Sequence, residues 1–495
     1  MNGGFFPDLA TCSPVEILLL VMLISYFPYA VYQIYLMDYC LYMTDKKIKD
    51  RKKRLEVPNN VIVAITTNGM ATDVVEKIIA KVRGYGLASE IFVVKEERDP
   101  FQYSCRMIAV PSDYVCPGGS RCKMRAMHYG IQAMHDMGYG KETYICHLDD
   151  DSIVDRPYLE YVKYYLDAEG AQGCIRLRAW GRHLFSSLSD IIRISNCEAW
   201  CKRCNSRNHP QFVHGEGLVV RADVEYEIGW DYGTYGAEDL IMGLSVSKRY
   251  RFDDIPDGHI YIAPPTSVTD YFKQRRRWFW SLMNNRGVVR RLSFKTWLFY
   301  MYMYINGFLG LISLLIIPIV MLFAGGLSDF THMVAVLNII FFFAYYQFGA
   351  TYMHSLSISA AMFVLTIPVA FYDGLTSVYA LVRPPDFTTF ETIKKVRAGA
   401  ARSRCLCSMS SGSSSSSELR GSKIWLFLMC MYITTATPRV MLPRTTHIEI
   451  MLRRSSTLLP NTTDWRQAMA IIATMNRSRY WWYLTFTDAH RGRRI

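Results

Sequence analysis

The stretch YICHLDDDSIVD, Tyr144 to Asp155, sets three consecutive aspartates at the end of one short apolar run and just before another. Carboxylates packed this closely repel one another and resist desolvation, so they call for a cation, a solvated loop or both. Working outward, Thr143–Leu148 reads as a buried strand that ends at those aspartates. Upstream, NVIVAITTNG (Asn60–Gly69) is a β-branched run closed by turn residues, and EIFVVKEE (Glu90–Glu97) is a second strand. Between them, Ala71–Gly86 has a capping Thr72 or Asp73, helical apolar spacing and a glycine stop. Ser120–Gly140 reads as another helix. Strands alternating with helices predict a parallel sheet, whose ligands bind at the carboxyl ends of the strands. Asp149, Asp150 and Asp151 occupy one such end.

The chain has 495 residues, 51% hydrophobic and only 20% charged, with a net charge of +13. The apolar residues are unevenly spread. Val15–Leu36 is long for a signal-peptide core and lacks a small-residue cleavage site, so it reads as an anchor. TDKKIKDRKKR (Thr44–Arg54) follows and by the positive-inside rule holds what comes next in the cytosol. Three further apolar stretches, 296–326, 333–350 and 359–382, suit membrane helices. An anchor and three crossings would leave the basic segment after residue 382 outside, so either one stretch is re-entrant or interfacial or the count differs. The expected organisation is an anchor at 1–43, a cytosolic domain at 55–285, membrane helices at 296–382, and a serine-rich linker with a basic tail at 400–495. Asn461 and Asn476 in that tail are glycosylation sequons. The basic balance fits membrane lipids; nucleic acid would require a basic helix or aromatic-lined groove, absent outside the juxtamembrane clusters. Most of the 13 cysteines fall in the cytosolic segment, where thiols stay reduced.

Three constellations carry chemistry. Asp149 and Asp151 form a DxD that can present oxygens to a divalent cation, or form an acidic turn. In GAEDL (Gly236–Leu240), Glu238 and Asp239 can supply a general base, or simply favour a helix N-terminus. QRRRW (Gln274–Trp278) can bind a diphosphate through arginine forks and stack on a sugar, or anchor an interfacial helix.

In this order, and ahead of membrane spans, the motifs resemble the membrane-embedded family 2 glycosyltransferases, the superfamily of cellulose, chitin and hyaluronan synthases. The nearest likeness is to the egghead-type β-1,4-mannosyltransferases. It rests on Val110–Gly130, YICHLDDDSIV, Leu184–Ser195, GAEDLIMG, Ala263–Trp278 and Ile367–Phe387, and covers roughly residues 60–400. The resemblance implies a GT-A domain, an α/β Rossmann-like nucleotide-sugar fold, attached to transmembrane helices. It implies a nucleotide-sugar donor, GDP-mannose or a UDP-sugar, and a lipid-linked sugar acceptor. Carried onto this sequence, Thr66, Thr67, Glu96, Lys123 and Asp150 would face the donor, and Asp149 and Asp151 would hold Mn²⁺ or Mg²⁺. Glu238 and Asp239 would be the catalytic pair, with Asp239 the base, and Gly215, Gln274, Arg275, Arg277 and Trp278 would complete the diphosphate and acceptor side. Inversion would give a β-linkage, from a multi-pass protein of the endomembranes or plasma membrane.

Two departures stand out. The first strand ends in TTNG rather than the Pro-Ala-Tyr-Asn-Glu type of the polysaccharide synthases, which favours the egghead branch over a processive synthase. The segment NCEAWCKRCNSRNH brings Cys197, Cys201, Cys204 and His209 to spacings that can ligate zinc, which the resemblance does not call for; free thiols are the alternative. A membrane transporter or receptor that binds nucleotide without turnover is the rival from another class.

Overall fold

The computed structural model describes residues 13–43, 45–50, 52–177, 183–233, 235–323 and 328–387. The serine-rich linker, the tail and both sequons lie outside them. At the centre is an eight-stranded sheet in the order β3-β2-β1-β4-β7-β6-β8-β5. Its strands are β1 (Asn60–Thr66), β2 (Glu90–Glu96), β3 (Arg106–Val110), β4 (Thr143–Asp149), β5 (Ile153–Val154), β6 (Gly170–Leu177), β7 (Val219–Arg221) and β8 (Phe252–Ile262).

Strand alternation explains the layering. Val61, Val63 and Ile65 of β1 pack on one face with Val75, Ile79 and Val82 of the Thr72–Tyr85 helix. Ile62 and Ala64 point to the other face, against Met127 and Ile131 of the Cys122–Asp136 helix. A strand covered on both sides is apolar throughout, which is why β1 reads as a continuous hydrophobic run. The Thr72–Tyr85 helix ends as expected, with Gly86 in the left-handed conformation at φ 65°.

The sheet is parallel through β3, β2, β1 and β4. Beyond β4 the expectation of an all-parallel sheet is corrected: β7 runs antiparallel to both β4 and β6. The three-residue β7 returns from a turn rather than from a crossover helix, so it enters the sheet from the opposite end. Register still does the essential work, pairing Thr66 with Asp149, so two strands end level at one edge.

Four long helices accompany the sheet: Pro14–Tyr42, Phe294–Phe323, Asp329–Thr351 and Leu356–Val382. By length and composition Pro14–Cys40, Asp329–Thr351 and Leu356–Val382 could each cross a membrane. Val15, Leu18 and Val21 form an exposed apolar stripe at helical spacing on the first of them. The starts of the first and third long helices lie together, because Glu16 Oε1 accepts hydrogen bonds from Ser328 N (2.9 Å) and Thr331 Oγ1 (2.8 Å). The third helix ends against the sheet domain: Ser195 Oγ donates to Tyr345 O at 2.8 Å, and Tyr345 Oη donates to Asn196 Oδ1 at 2.6 Å.

The fourth helix stays on the domain. Arg176 of β6 lies over the Tyr352 ring (4.7 Å) just before the helix begins. Tyr372 bonds Ser186 (2.9 Å), Trp280 Nε1 donates to Ala380 O (2.7 Å), and Arg276 donates to Arg383 O (3.2 Å) just after it ends.

Candidate active site

The three aspartates divide their work. Asp149 closes β4, and its turn is fixed by Ser152, whose Oγ accepts from Asp149 N at 3.0 Å and whose N–H donates to Asp149 O at 3.1 Å. Asp150 is buried, and Thr67 Oγ1 donates to its Oδ2 at 3.2 Å, bracing the loop after β1. Asp151 is half-buried at the next turn position, and Thr66 half-buried at the end of β1. Asp150 is thus a brace within the strand-end cluster.

Lys123 draws the separate parts together. From the first turn of the Cys122–Asp136 helix, its Nζ lies 2.6 Å from Asp149 Oδ1 and 3.9 Å from Glu238 Oε1. A Cβ on Gly215 would lie 2.7 Å from Lys123 Nζ and 3.6 Å from Asp239 Oδ2. Gly215 is therefore the point at which backbone must approach the charged cluster closely. Burial opposes the charge on Lys123, but Asp149 and then Glu238 hold its pKa above the usual lysine range.

Glu238 and Asp239 open the Glu238–Arg249 helix, where the helix dipole favours carboxylates. The turn before them is tightly wound: Gly236 has φ 69° and Ala237, a residue with a side chain, has φ 59°. Such strain persists only where the surroundings impose it. Asn285 of the Val268–Leu292 helix does so, its Nδ2 donating to Gly236 O (2.9 Å), Tyr235 O (3.3 Å) and Ser281 O (2.7 Å). Burial, then the adjacent Glu238, push the Asp239 carboxyl up to about 7, against the pull of Lys123 and of the Leu240 N–H at 2.8 Å. A carboxyl of that pKa is matched to general-base work near neutral pH.

The same helix carries the arginine cluster. Arg275 pairs with buried Asp190 at 3.0 Å and with Asp373 at 3.6 Å, and stacks on Trp278 at 4.4 Å. Arg193 covers Trp278 from elsewhere, at 4.9 Å, and reaches Glu216 at 3.5 Å, beside Gly215. Gln274 Oε1 is buried with no hydrogen-bond partner among the described residues, and Arg277 is half-buried.

The structure thus brings Asp149, Lys123, Gly215, Glu238 and Asp239 into one cluster, joined through Glu216 and Arg193 to Trp278 and Arg275. Glu96, at the end of β2, has its Oε2 held by Arg125 at 2.6 Å. Among the cysteines, Cys197 and Cys201 face His214 rather than His209, which is exposed. Sequence reasoning passed over Asp190, Arg193 and Asp373. Asp190 and Arg193 lie within Leu184–Ser195 (LFSSLSDIIRIS), where acidic and basic residues inside an apolar run were the available signal.

Residues 144–372 match the family described as glycosyl transferase family group 2. The chain is 23% identical over 200 residues to the β-1,4-mannosyltransferase bre-3 of Caenorhabditis elegans, covering 36% of this chain and 41% of that one. It is 24% identical over 191 residues to the β-1,4-mannosyltransferase egh of Drosophila melanogaster, covering 36% and 40%. The matched region thus spans about two fifths of these curated relatives. Among solved structures, the mannosyltransferase PcManGT from Pyrobaculum calidifontis, in complex with GDP-Man and Mn²⁺, has a TM-score of 0.36 at 14% identity, over 71% of this chain and 97% of that one. S. aureus TarS 1–349 with UDP-GlcNAc has a TM-score of 0.29 at 9% identity, over 65% and 90%. The sheet is mixed and flanked by helices, its carboxylates lie at one strand edge, and three of the described helices are long and apolar enough to cross a membrane. Residues 144–372 are thus similar to glycosyl transferase family group 2, and part of the chain is distantly similar to the β-1,4-mannosyltransferases bre-3 and egh.

Proposed function

We propose that this glycosyltransferase moves a sugar, mannose from GDP-mannose in the first instance, onto a lipid-linked acceptor at the membrane, with inversion to a β-linkage. The observation that carries the reading is the meeting of Asp149, from the end of β4, with Glu238 and Asp239, from a helix start ninety positions away, around one cation, Lys123.

The chemistry of the donors supports a divalent ion at the end of β4. An ammonium already sits among the cluster's carboxylates, and its donors are hard oxygens of the kind that suit Mn²⁺ or Mg²⁺. Asp149 and Asp151 would hold the ion, which when bound offsets negative charge on the leaving nucleoside diphosphate. The chain's own residues do the rest. Asp239 accepts the proton from the acceptor hydroxyl as that oxygen attacks the anomeric carbon from the face opposite the diphosphate. Glu238 raises the basicity of Asp239, and Lys123 balances both. Trp278, held between Arg193 and Arg275, offers an aromatic face to a sugar ring. Thr66, Thr67 and Glu96, at the ends of β1 and β2, line the edge where a nucleotide would lie.

The membrane arrangement supports a lipid-borne acceptor. With the sheet domain in the cytosol, the first long helix enters it, the second leaves and the third returns, so the first and third begin on the same side; the Glu16 contacts to Ser328 and Thr331 fit this. The Leu356–Val382 helix, in contact with the domain at both ends, then serves as the re-entrant or interfacial element, and the basic segment after it stays cytosolic. The working division is an anchor at 1–43, a catalytic domain at 55–285 and membrane helices at 296–382. The test is transfer of labelled mannose from GDP-mannose to a lipid-linked sugar in proteoliposomes; no labelled lipid with any nucleotide sugar would overturn the reading.

A further inference from the structure

The reaction chemistry leaves the Cys197, Cys201 and His214 cluster in the core unused. Cys197 and Cys201 bracket a π-helical turn, Cys197–Cys201, within an otherwise α-helical segment. Such turns are concentrated at functional sites, because they re-aim side chains at the expense of regular hydrogen bonding. Here the turn directs both thiols toward His214. Cys197 Sγ lies 3.0 Å from His214 Nε2, Cys201 Sγ lies 3.6 Å from it, and the three atoms all fall within 4.8 Å of one another. Around a tetrahedral zinc ion with Zn–S of about 2.3 Å and Zn–N of about 2.0–2.1 Å, a sulfur and a nitrogen ligand stand about 3.5 Å apart. The two observed separations bracket that value.

The histidine is also held in place. His214 N donates to Gln172 Oε1 at 2.9 Å, and Gln172 Nε2 donates to His214 O at 2.5 Å, so a fully buried amide clamps the backbone on both sides. Two thiolates and a neutral imidazole give a divalent ion a net-neutral shell, the form of charge that a buried site tolerates. The ligand segment leads straight into Gly215, against Lys123 and Asp239.

We propose that Cys197, Cys201 and His214 bind a zinc ion that ties the π-helical turn to the His214–Gly217 segment and so fixes the floor of the active site. The ion is separate from the hard-oxygen site at Asp149 and takes no part in the reaction.

The experiment uses the full-length protein, purified in detergent under reducing conditions without chelator, and assayed for metal content. The expected result is one zinc per chain, retained in Asp149→Asn and lost in Cys197→Ser, Cys201→Ser and His214→Ala. Because those variants can fail to fold, the unmodified protein is also titrated with a mercurial, which should release the zinc as the thiols react. After excess small-molecule thiol has stripped the mercurial and been removed, the protein is reloaded with Co²⁺, which should show a thiolate-to-cobalt charge-transfer band. A protein that holds no zinc and gives no such band overturns the proposal. So does zinc lost in Asp149→Asn but kept in Cys197→Ser, or a Cys197–Cys201 disulfide in freshly prepared protein.

Discussion

Replacing Lys123 with methionine removes one ammonium and keeps most of the side-chain volume. At an effective dielectric constant of about 20, its separations of 2.6 Å from Asp149 and 3.9 Å from Glu238 correspond to roughly 6 and 4 kcal/mol of attraction. Lys123 retains a fifth of its side-chain exposure and Asp149 about a quarter (20% and 27%), so solvent and desolvation cancel most of this and the net loss is about 2 kcal/mol. At about 2–4 °C per kcal/mol, the thermal midpoint of the detergent-solubilised protein should fall by roughly 4–8 °C. The carboxylates left behind then need another cation. Mn²⁺ should therefore raise the midpoint of Lys123→Met more than that of the unmodified protein, by up to about 2.7 kcal/mol of stabilisation at a hundredfold excess over its dissociation constant. Scanning fluorimetry with and without Mn²⁺ measures both effects. An unchanged midpoint together with an identical Mn²⁺ response would refute the reasoning that Asp149 and Glu238 converge on one cation position.

Asp239→Asn should lower nucleoside diphosphate release with acceptor present by about 10²–10⁴-fold while donor binding persists, checked by steady-state kinetics beside donor calorimetry. In the unmodified protein, the base form of Asp239 accumulates as pH rises through about 7, so kcat/KM should climb on the acid side and level off above that value. The same raised pKa makes the proton on Asp239 stabilising below the ordinary carboxyl value of 3.8, a contribution lost as pH rises toward about 7; denaturant titrations across that window should show it. Asn285→Ala removes the two carbonyl contacts, to Tyr235 O and Gly236 O, that pin the turn before Glu238 and should cut kcat about tenfold or more at little change in donor affinity, read from the kcat and KM split. Arg275→Lys keeps the charge but loses the planar stack on Trp278 and the fork toward Asp190 and Asp373, so unfolding should cost about 1–3 kcal/mol less, measured by chemical denaturation.

Much of this architecture was legible in the chain because its signals are local. The continuous apolar run of β1, the glycine stop at Gly86 and the aspartates ending β4 each reflect a neighbouring residue or a single buried face. The long helices were legible for the same reason, since a span's apolar length is written in consecutive residues. The far half of the sheet was not. β7, at three residues, is too short to show a strand's periodicity, and β6 carries two glycines and a glutamine that blur its composition; their pairing is decided by distant partners. At the site, the DxD and ED carboxylates could be named, but their meeting at Lys123 depends on three elements folding together. Asp190, Arg193 and Asp373 become meaningful only once the Leu184–Asp190 and Leu356–Val382 helices pack beside Arg275. The proposed zinc ligands show the same limit: spacing within one segment suggested His209, whereas the fold supplies His214 from the loop that leads to β7.

The most direct test is release of nucleoside diphosphate from a panel of nucleotide sugars by the purified full-length protein, with Mn²⁺, with Mg²⁺ and with chelator. The account predicts turnover of one donor class, GDP-mannose first, that is abolished by chelator, by Asp151→Ala and by Asp239→Asn. Turnover of none of the donors, or full activity in chelator and in Asp239→Asn, would contradict it.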